Sequence, residues 1–396
     1  MIVRTPVSLP LHVVVAPDKF KGSLTASEVA SLVAAGLRAG FAAARPAAPE
    51  DGLRVSEVPV ADGGEGTVDA AVAAGWRAVT ATVAGPTGAP VRAAWAREEA
   101  GPAALVELAQ ASGLDRLPGG VREPLTATSR GTGELVRAAL DDGAREVVLA
   151  VGGSACTDGG AGLLAALGAR LLDADGQDLP DGGGALARLH RVDLAGLDPR
   201  VREVRWTLAA DVDNPLLGER GAAAVFGPQK GADPAQVAAL DAALARFADA
   251  LAAAGAPDAR EAPGAGAAGG TGLVALGLLG ARRRPGVEVV LDLVRWSERA
   301  AGAGLVVTGE GSFDEQSLGG KTPVGVARAA AALGAPVVVL SGRRTLPEQR
   351  WRAEGFADAR ALTDVEPDTA RCIAGAGPLL EGLARALGAE LASAVG

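Results

Sequence analysis

The chain has 396 residues, of which 48% are hydrophobic and 21% charged, and its formal net charge is -9. At roughly 100–200 residues per domain this length predicts two or three domains, and the apolar content is too high for a disordered chain. The acidic balance argues against a nucleic-acid partner, because a nucleic-acid groove needs a basic stripe. Composition therefore favours small-molecule chemistry.

Two further features concern location. The two cysteines, Cys156 and Cys372, are too few for a disulfide scaffold, which favours a reducing cytoplasm. No run reaches the roughly 18 apolar residues of a membrane-spanning helix, so we expect no membrane partner. Prolines interrupt the apolar run at 1–17 and no small-x-small cleavage site follows it, so we interpret this run as a strand and not a leader.

Taken in chain order, apolar β-rich runs alternate with glycine turns and alanine-rich helical patterns. The run at 11–17 predicts a buried strand, and residues 23–40 predict its helix, with Ser23, Thr25 or Ser27 as the cap. Strand, glycine turn and helix recur around three later runs, at 146–153, 304–311 and 336–342. This alternation predicts an α/β fold with parallel strands, in which ligands bind at the strands' carboxyl ends.

Residues 76–110 differ, because short extended runs separated by Gly, Pro and acidic turns indicate antiparallel strands. We therefore predict a second domain at about 76–285, inserted into a sheet domain made from 1–75 and 286–396. The Gly/Ala/Pro-rich segment 261–272 is the candidate hinge or linker, although such glycines can equally approach a ligand.

Rare residue types mark candidate sites. Of 38 basic residues only Lys19, Lys21, Lys230 and Lys321 are lysines, each beside a glycine-rich stretch, and Asn214 is the one asparagine of the chain. In a chain so rich in arginine, these positions indicate a need for a compact point charge or an amide.

Acidic residues follow two predicted strands near the amino terminus. Asp18 and Lys21 lie between a strand and a helix start, where unpaired N–H groups and a lysine suit an anion. Asp62 and Glu65 flank a glycine pair in PVADGGEGT, where carboxylates can hold Mg²⁺ or accept a proton. The alternatives are a solvated lysine and a plain acidic turn.

The segment TGEGSFDEQSLGGKTP at 308–323 ends like a phosphate-binding loop, but Glu315 replaces that loop's first glycine. The segment instead places Glu310, Asp314 and Lys321 after a strand. Carboxylates and a lysine together at a strand end suit the binding of a magnesium-nucleotide complex.

The run GGSACTDGGAG at 152–162 has five glycines, and with Ser154 and Asp158 it can cradle phosphate through its N–H groups. A tight structural turn is the alternative. Cys156 is interpreted as a small buried residue and not a nucleophile, since no histidine lies near it in sequence. Gly152 and Gly153 begin this loop.

Two further motifs are candidates for ligand recognition. Arg130 stands at a predicted helix start, where its guanidinium can fork onto a carboxylate or phosphate; the alternative is a surface arginine. Residues 211–233 gather a polar cluster around turns, with an ordinary Asn-Pro turn as the alternative. The members of that cluster are Asp211, Asn214, Gln229 and Lys230.

Taken together, the motifs resemble those of the class I glycerate kinases over nearly the whole chain. The motifs are APDKFKGSLTASE, PVADGGEGT, ASGL, TSRGTGEL, GGSACTDGGAG, DVDNPL, FGPQKG, PGAGAAGG and TGEGSFDEQSLGGKTP. The resemblance implies a flavodoxin-like (Rossmann-type) parallel-sheet domain plus a second α/β domain with a mixed sheet. It also implies ATP- and Mg²⁺-dependent phosphorylation of D-glycerate, at the 2-hydroxyl, to give 2-phospho-D-glycerate and ADP.

Within that resemblance Lys21 matches the family lysine and is assigned to neutralise phosphate charge. Asp62 is the candidate base or Mg²⁺ ligand, and Glu310 and Asp314 are the other metal-side carboxylates. Arg130, Asn214 or Lys230 would recognise glycerate, and residues 152–160 the nucleotide. The chain departs from the family pattern at Cys156-Thr157, where Thr-Asn is usual, and at Lys19, where a small polar residue is usual.

Several alternatives stay open at this point. They are phosphorylation at the 3-hydroxyl, a Mg²⁺-dependent lyase or phosphatase acting on a small hydroxy acid, and a non-catalytic metabolite-binding regulator. The expected partners are D-glycerate and nucleotide, and a homo-oligomer is left open. ATP consumption would separate a kinase from a lyase or phosphatase, and turnover would separate an enzyme from a regulator.

Overall fold

The structure is a computed structural model, and it describes residues 10–46 and 52–394. Its strands, in chain order, are β1 (Leu11–Pro17), β2 (Leu53–Glu57), β3 (Arg77–Ala84), β4 (Pro90–Arg97), β5 (Ala103–Glu107), β6 (Glu146–Ala150), β7 (Arg170–Leu172), β8 (Arg191–Asp193), β9 (Arg205–Ala209), β10 (Arg282–Arg284), β11 (Leu305–Gly309), β12 (Ser312–Phe313), β13 (Val337–Ser341), β14 (Arg343–Arg344) and β15 (Asp358–Ala361).

The α-helices are α1 (Ala26–Ala44), α2 (Thr67–Ala73), α3 (Ala109–Ser112), α4 (Arg130–Asp141), α5 (Ala161–Ala166), α6 (Ala222–Phe226), α7 (Pro234–Ala253), α8 (Ala267–Leu273), α9 (Gly286–Leu293), α10 (Trp296–Arg299), α11 (Thr322–Ala331), α12 (Glu348–Ala353), α13 (Thr369–Ala374) and α14 (Ala376–Ala394). Short 3₁₀ turns occupy Leu114–Arg116, Pro118–Gly120, Gly183–Arg188, Pro199–Arg202, Pro228–Lys230, Ser317–Gly319 and Leu362–Asp364, and a π turn occupies Val274–Leu278. None of these described helices has the length and apolar character that a membrane crossing requires.

The first strand and helix form where the sequence predicts them. Every residue of β1 is buried, as expected for a central parallel strand. Of the three candidate caps, Thr25 is the one used: its Oγ1 accepts from the backbone N–H of Glu28, and the Glu28 carboxylate accepts from the backbone N–H of Thr25 at 2.8 Å. This capping box fixes where α1 begins. Residues 1–9, also part of the predicted strand run, lie outside the described residues.

The chain divides into two compact units, and unit 1 comprises residues 1–62, 69–74 and 287–396. Its five-stranded sheet has the order β15-β13-β11-β1-β2, and every neighbouring pair is parallel. Counted along the chain within this unit, that is the order 2-1-3-4-5 of the flavodoxin-like folds. The predicted parallel α/β architecture is confirmed.

Helices cover both faces of the unit 1 sheet. On one face, alternate residues of β1 and β11 pack with α1 and α14, and on the other face with α9 and α11. Helices α1 and α14 approach closely at Gly36, Gly40 and Gly388. A Cβ on any of the three would overlap backbone atoms of the facing helix, so these positions require glycine.

Unit 2 comprises residues 63–68 and 75–286, and it contains a six-stranded mixed sheet in the order β10-β9-β6-β5-β4-β3. The pairs β3/β4 and β4/β5 are antiparallel, as predicted for 76–110, whereas β5/β6, β6/β9 and β9/β10 are parallel. The mixed second sheet is therefore confirmed. The predicted boundaries of the two domains, 1–75 with 286–396 and 76–285, stay a prediction.

The hinge interpretation of 261–272 is wrong. The segment lies within unit 2 and most of it is buried, and Ala268, Gly269 and Gly270 are all left-handed. The backbone N–H of Gly159 donates to the carbonyl of Gly269 at 3.0 Å. The glycines allow close backbone packing against the loop after β6. The alternative, that these glycines approach a ligand, stays a prediction.

Candidate functional site

The carboxyl end of the unit 1 sheet has a topological switch point between β1 and β11. From β1 the chain continues to β2 on one side, and β11 lies on the other side, so the loops that leave the two strands diverge. Asp18 follows β1 and Glu310 follows β11, and the backbone N–H of Asp18 donates to the carbonyl of Gly309 at 2.8 Å. Two acidic residues predicted from sequence thus flank the place where ligands bind in such folds.

Asp18 is buried and well held. Its Oδ1 accepts from the backbone N–H of Lys19 at 2.7 Å, and its Oδ2 accepts from the hydroxyl of Thr322 at 2.8 Å. Burial, reinforced by the nearby Asp62 carboxylate, raises the pKa of Asp18 to about 6, although the Lys19 ammonium 3.8 Å away opposes this. Asp62 is therefore part of the same cluster.

Glu310 is also buried, with only 8% of its surface exposed. Within residues 10–46 and 52–394, its Oε1 atom accepts no hydrogen bond. Burial raises the pKa of Glu310 to about 7; the charge of Lys321 and a hydrogen bond from Ser317 lower it, and Asp18 and Asp314 raise it. A buried carboxylate oxygen without a donor is an unusual and costly feature that calls for a missing partner.

A hard divalent cation fits that missing partner. Carboxylate oxygens are the ligands Mg²⁺ prefers, and Mg²⁺ is typically held by one or two carboxylates together with substrate phosphates. The described residues gather no group of three or more His, Cys, Asp or Glu side chains suited to a metal by themselves. One or two carboxylates of this cluster, together with a phosphate, would fit such a cation.

Residues 311–323 fold around Asp314. Its Oδ2 accepts from the Ser312 hydroxyl at 2.9 Å, and its Oδ1 accepts from the backbone N–H of Gln316 at 2.9 Å. Glu315, which breaks the phosphate-loop pattern, is exposed and pairs with Arg350 at 2.8 Å. Asp314 is thus oriented by its own turn, as a ligand-binding carboxylate must be.

Two lysines belong to this end of unit 1. Lys321 occupies the N-cap position of α11, and its charge acts on Glu310. Lys21 is exposed in the turn after β1, and its backbone lies beside Gly311. We call Asp18, Lys21, Asp62, Glu310, Asp314 and Lys321 the unit 1 rim cluster.

In unit 2 the predicted glycine-rich loop follows β6, and Asp158 is its centre. The Asp158 carboxylate is fully buried; Oδ2 accepts from the backbone N–H groups of Ser129 and Gly162 and from the Ser129 hydroxyl, and Oδ1 accepts from the backbone N–H of Gly160. Four donors to one carboxylate leave little capacity for a ligand. Asp158 therefore shapes the loop.

Lys230, predicted as a ligand-binding residue, is buried beneath the same loop with 2% exposure. Its ammonium donates to the Ser154 hydroxyl at 2.9 Å and to the Cys156 carbonyl at 2.5 Å. Burial lowers the pKa of Lys230, while the neighbouring Cys156 and Asp158 act in the opposite direction. The Cys156 thiol is fully buried and its pKa is raised by burial, which agrees with the structural role expected for it.

The start of the loop meets the glycine pair of PVADGGEGT. The backbone N–H of Gly152 donates to the carbonyl of Gly63 at 3.1 Å, and the Glu65 side chain lies against Gly153. Glu107, the last residue of β5, is buried and accepts from the backbone N–H of Val68 at 2.9 Å. Glu107 was not among the residues predicted from the sequence, although a carboxylate that ends an apolar strand is a usable signal.

Apart from Arg130, the remaining predicted residues of unit 2 lie in turns and irregular segments outside the loop after β6. Asp211, after β9, accepts from the backbone N–H of Gly286 at 2.7 Å, and the Asn214 amide donates to the carbonyl of Arg220 at 2.8 Å. Gln229 is exposed in its 3₁₀ turn. Asp211 and Asn214 thus hold turns of the chain.

Arg130 is the first residue of α4, next to Ser129 of the Asp158 network. Its guanidinium forks onto Asp181, with Nε to Oδ2 at 2.6 Å and Nη2 to Oδ1 at 2.7 Å. The fork predicted from sequence exists, but the carboxylate in it belongs to the chain. Nothing in the sequence pointed to Asp181, which lies 51 positions away.

Comparisons with known proteins identify the family of the chain. A sequence model of the glycerate kinase family matches residues 13–392. Glycerate 2-kinase of Escherichia coli K12 is 45% identical over 336 residues, covering 85% of this chain and 86% of that protein. Glycerate kinase of Bacillus subtilis 168 is 45% identical over 333 residues, covering 84% and 85%.

A solved structure extends the likeness to three dimensions. The crystal structure of a protein from Salmonella typhimurium LT2, provisionally named glycerate kinase 2, superposes with a TM-score of 0.80 at 39% identity and covers 97% of this chain and 98% of that one. The family match spans nearly the whole chain, and the relatives match over most of their own length. The chain belongs to the glycerate kinase family, a family of kinases.

Proposed function

We propose that this protein transfers the γ-phosphoryl group of ATP to the 2-hydroxyl of D-glycerate in the presence of Mg²⁺. The observation that carries the proposal is the unit 1 rim cluster: Asp18 and Glu310 flank the switch point, and Glu310 has a buried oxygen with no donor among the described residues. Family membership supports the kinase chemistry, and the relative named glycerate 2-kinase supports the 2-hydroxyl.

Phosphoryl transfer needs in-line positioning, neutralisation of phosphate charge and a group that receives the hydroxyl proton. Mg²⁺, when bound with the nucleotide, supplies charge neutralisation at the phosphates. Glu310 and Asp314 are the residues that would hold it. Asp314 is oriented by Ser312 and Gln316, and Glu310 by its burial at the end of β11.

Lys21 and Lys321 supply the positive charge on this rim. Lys21 is exposed in the turn after β1, so its flexible side chain can follow the charge that develops on the transferred phosphoryl group. Asp62 is the proposed proton acceptor. Both oxygens of Asp18 accept hydrogen bonds, from Lys19 and Thr322, which hold this carboxylate in place beside the site.

In unit 2, Arg130 is the proposed partner of the glycerate carboxylate. Lys230 is excluded from that role by its burial, and the Asn214 amide is engaged with a backbone carbonyl. Asp158 and Lys230 instead fix the conformation of residues 152–158 through buried hydrogen bonds. The N–H group of Gly153, with Glu65, then makes up the ligand-facing part of the proposed loop, since the N–H of Gly152 donates to the carbonyl of Gly63.

The first experiment is phosphorus NMR of the purified protein incubated with D-glycerate, ATP and Mg²⁺. A 2-phosphoglycerate signal together with ADP supports the proposal. A 3-phosphoglycerate signal would retain the kinase and overturn the regiochemistry. Unchanged ATP with folded protein would contradict the proposal as a whole.

A matched pair of variants tests the metal assignment. Glu310→Gln removes the charge from the buried oxygen pair, whereas Glu315→Gln alters an exposed glutamate five positions away that pairs with Arg350. We expect Glu310→Gln to weaken Mg²⁺ binding, measured by calorimetry with ADP present, by more than about 10-fold, because a hard cation needs the anionic oxygen. Equal Mg²⁺ binding by the two variants would remove Glu310 from the metal site.

A further inference from the structure

The Arg130–Asp181 pair lines a cavity in unit 2. The cavity measures about 190 Å³ and lies between α5 and the segment that joins β7 to the 3₁₀ turn Gly183–Arg188. Its walls include Ala165, Leu171 and Leu186 together with the two charged residues. Ligand pockets for drug-sized molecules are typically 300–1,000 Å³, so this cavity suits a molecule of only a few carbon atoms.

The pair itself has the geometry of ligand recognition. Both guanidinium nitrogens that face Asp181 bind separate carboxylate oxygens, at 2.6 and 2.7 Å, which is how arginine binds a carboxylate ligand. The other acid of the cavity, Asp178, is already paired with Arg170, through bonds of 3.0 and 2.9 Å. Arg130 and Asp181 therefore form an ion pair whose two members both line the cavity.

The pair is also weak enough to be exchanged. The side chains of Arg130 and Asp181 are 34% and 27% exposed, and partly exposed ion pairs contribute at most about 1 kcal/mol. A free carboxylate brings the same two oxygens and the same charge as Asp181. Exchanging one for the other at Arg130 thus leaves the number of ionic hydrogen bonds unchanged.

We propose that Asp181 occupies the guanidinium fork that receives the carboxylate of the small hydroxy-acid substrate, so that it competes with the substrate within the same chain and lowers its affinity. The cavity is then the subsite of the acid, and Asp181 determines how strongly it binds. This inference rests on the proposed function, in which Arg130 recognises glycerate. It adds a residue, Asp181, that no motif of the sequence indicated.

A double-mutant cycle on the full-length protein tests this. Asp181→Ala and Asp181→Asn should lower the KM for D-glycerate by up to about five-fold with kcat retained, since they remove a competitor worth at most roughly 1 kcal/mol. Arg130→Ala should raise the KM by more than about 10-fold through loss of the bidentate bond. In the Arg130→Ala background, Asp181→Ala should change the KM no further, because there is no fork left to compete for.

The control is Glu390→Ala, which removes the acid of another bidentate pair, with Arg360 at 3.0 and 2.7 Å, in unit 1. Its KM for D-glycerate should equal that of the wild type. A KM that rises or stays unchanged in both Asp181 variants would overturn the inference, and so would an Asp181 effect that persists without Arg130.

Calorimetric titration of D-glycerate into the nucleotide-free protein separates this inference from the proposed function. If the wild type neither binds nor phosphorylates D-glycerate, the proposed function fails and the inference fails with it. If the wild type binds D-glycerate and Asp181→Asn binds it no more tightly, the inference alone fails. Tighter binding by Asp181→Asn, whose side chain keeps the volume of aspartate, supports it.

Discussion

The Lys230 ammonium lies 2.9 Å from the Ser154 hydroxyl, to which it donates, although 76 positions separate the two residues. Its second bond, to the Cys156 carbonyl, ties the 3₁₀ turn Pro228–Lys230 to the underside of the glycine-rich loop. A buried ammonium is costly unless its donors are satisfied and an opposite charge is near. Here Asp158 supplies that charge from within the same loop.

Removing this ammonium should therefore destabilise unit 2. We expect Lys230→Met to lower the free energy of unfolding by about 2–4 kcal/mol, because the Ser154 hydroxyl, the Cys156 carbonyl and the buried Asp158 charge all lose their partner. Guanidinium chloride denaturation checks this. Arg145→Met, at a site 72% exposed, is the control and should stay within about 0.5 kcal/mol of the wild type. A stability loss no larger than that of the control would show that the buried bonds contribute nothing.

Replacing Lys21 should lower kcat without changing the stability of the fold. If it neutralises charge on the transferred phosphoryl group, Lys21→Met should lower kcat by more than about 10²-fold, while the free energy of unfolding of this exposed position barely changes. Steady-state kinetics with ATP and D-glycerate measure the effect. Lys21→Arg keeps the charge and should recover part of the rate; near-normal turnover in Lys21→Met would rule out the role.

The contact between α1 and α14 gives a matched pair of glycines within one helix. Gly388 faces α1, where a Cβ would overlap the carbonyl oxygen of Leu37, whereas Gly382 of the same helix is exposed with open space around it. We expect Gly388→Ala to destabilise the protein by about 1–3 kcal/mol through overpacking. Gly382→Ala should stabilise it by up to about 1 kcal/mol, since alanine favours a helix. Denaturation midpoints that move in the same direction for both variants would contradict this packing.

His12 should make stability depend on pH. Its ring is buried in β1, with Nε2 2.9 Å from the Ser56 hydroxyl and Nδ1 3.2 Å from the Ala301 carbonyl. Burial, followed by the charge of Arg54, lowers the pKa of His12 below its ordinary 6.5, and the Ala301 carbonyl opposes this. As the pH falls through about 6.5, His12 becomes protonated in the unfolded chain but stays neutral in the folded protein. The free energy of unfolding therefore decreases.

The measurement for His12 is the difference in unfolding free energy between wild type and His12→Gln. We expect the wild type to be the more stable protein at pH 7.5. This difference in unfolding free energy should decrease as the pH is lowered to 5, because the variant has no histidine at position 12 to be protonated on unfolding. Carboxylates that titrate in this range are common to both proteins and cancel in the difference. His190→Gln, at the chain's other and exposed histidine, controls for loss of a histidine as such. A stability difference that stays constant or increases toward pH 5 would contradict the lowered pKa of His12.

Much of the architecture was predictable because its signals are local. The buried run at 11–17, the cap at Thr25 and the strand–turn–helix repeats each depend on residues a few positions apart, and the structure confirms them. Because parallel strands end at a common edge, the sequence also predicted several glycine motifs on one rim, and Asp18 and Glu310 follow two neighbouring strands at that edge. Long collinear motifs were enough to identify the family, which the comparisons confirm.

Tertiary packing decided how each side chain is used. Lys230 looked like a ligand-binding lysine and is buried under a loop, Arg130 faces Asp181, and the segment 261–272 packs inside unit 2 where a hinge was expected. Such pairings join segments tens of residues apart, so no local periodicity or propensity encodes them. Composition and spacing determined which residues are available for chemistry, and packing, through burial and hydrogen bonding, determined which of them remain free to perform it.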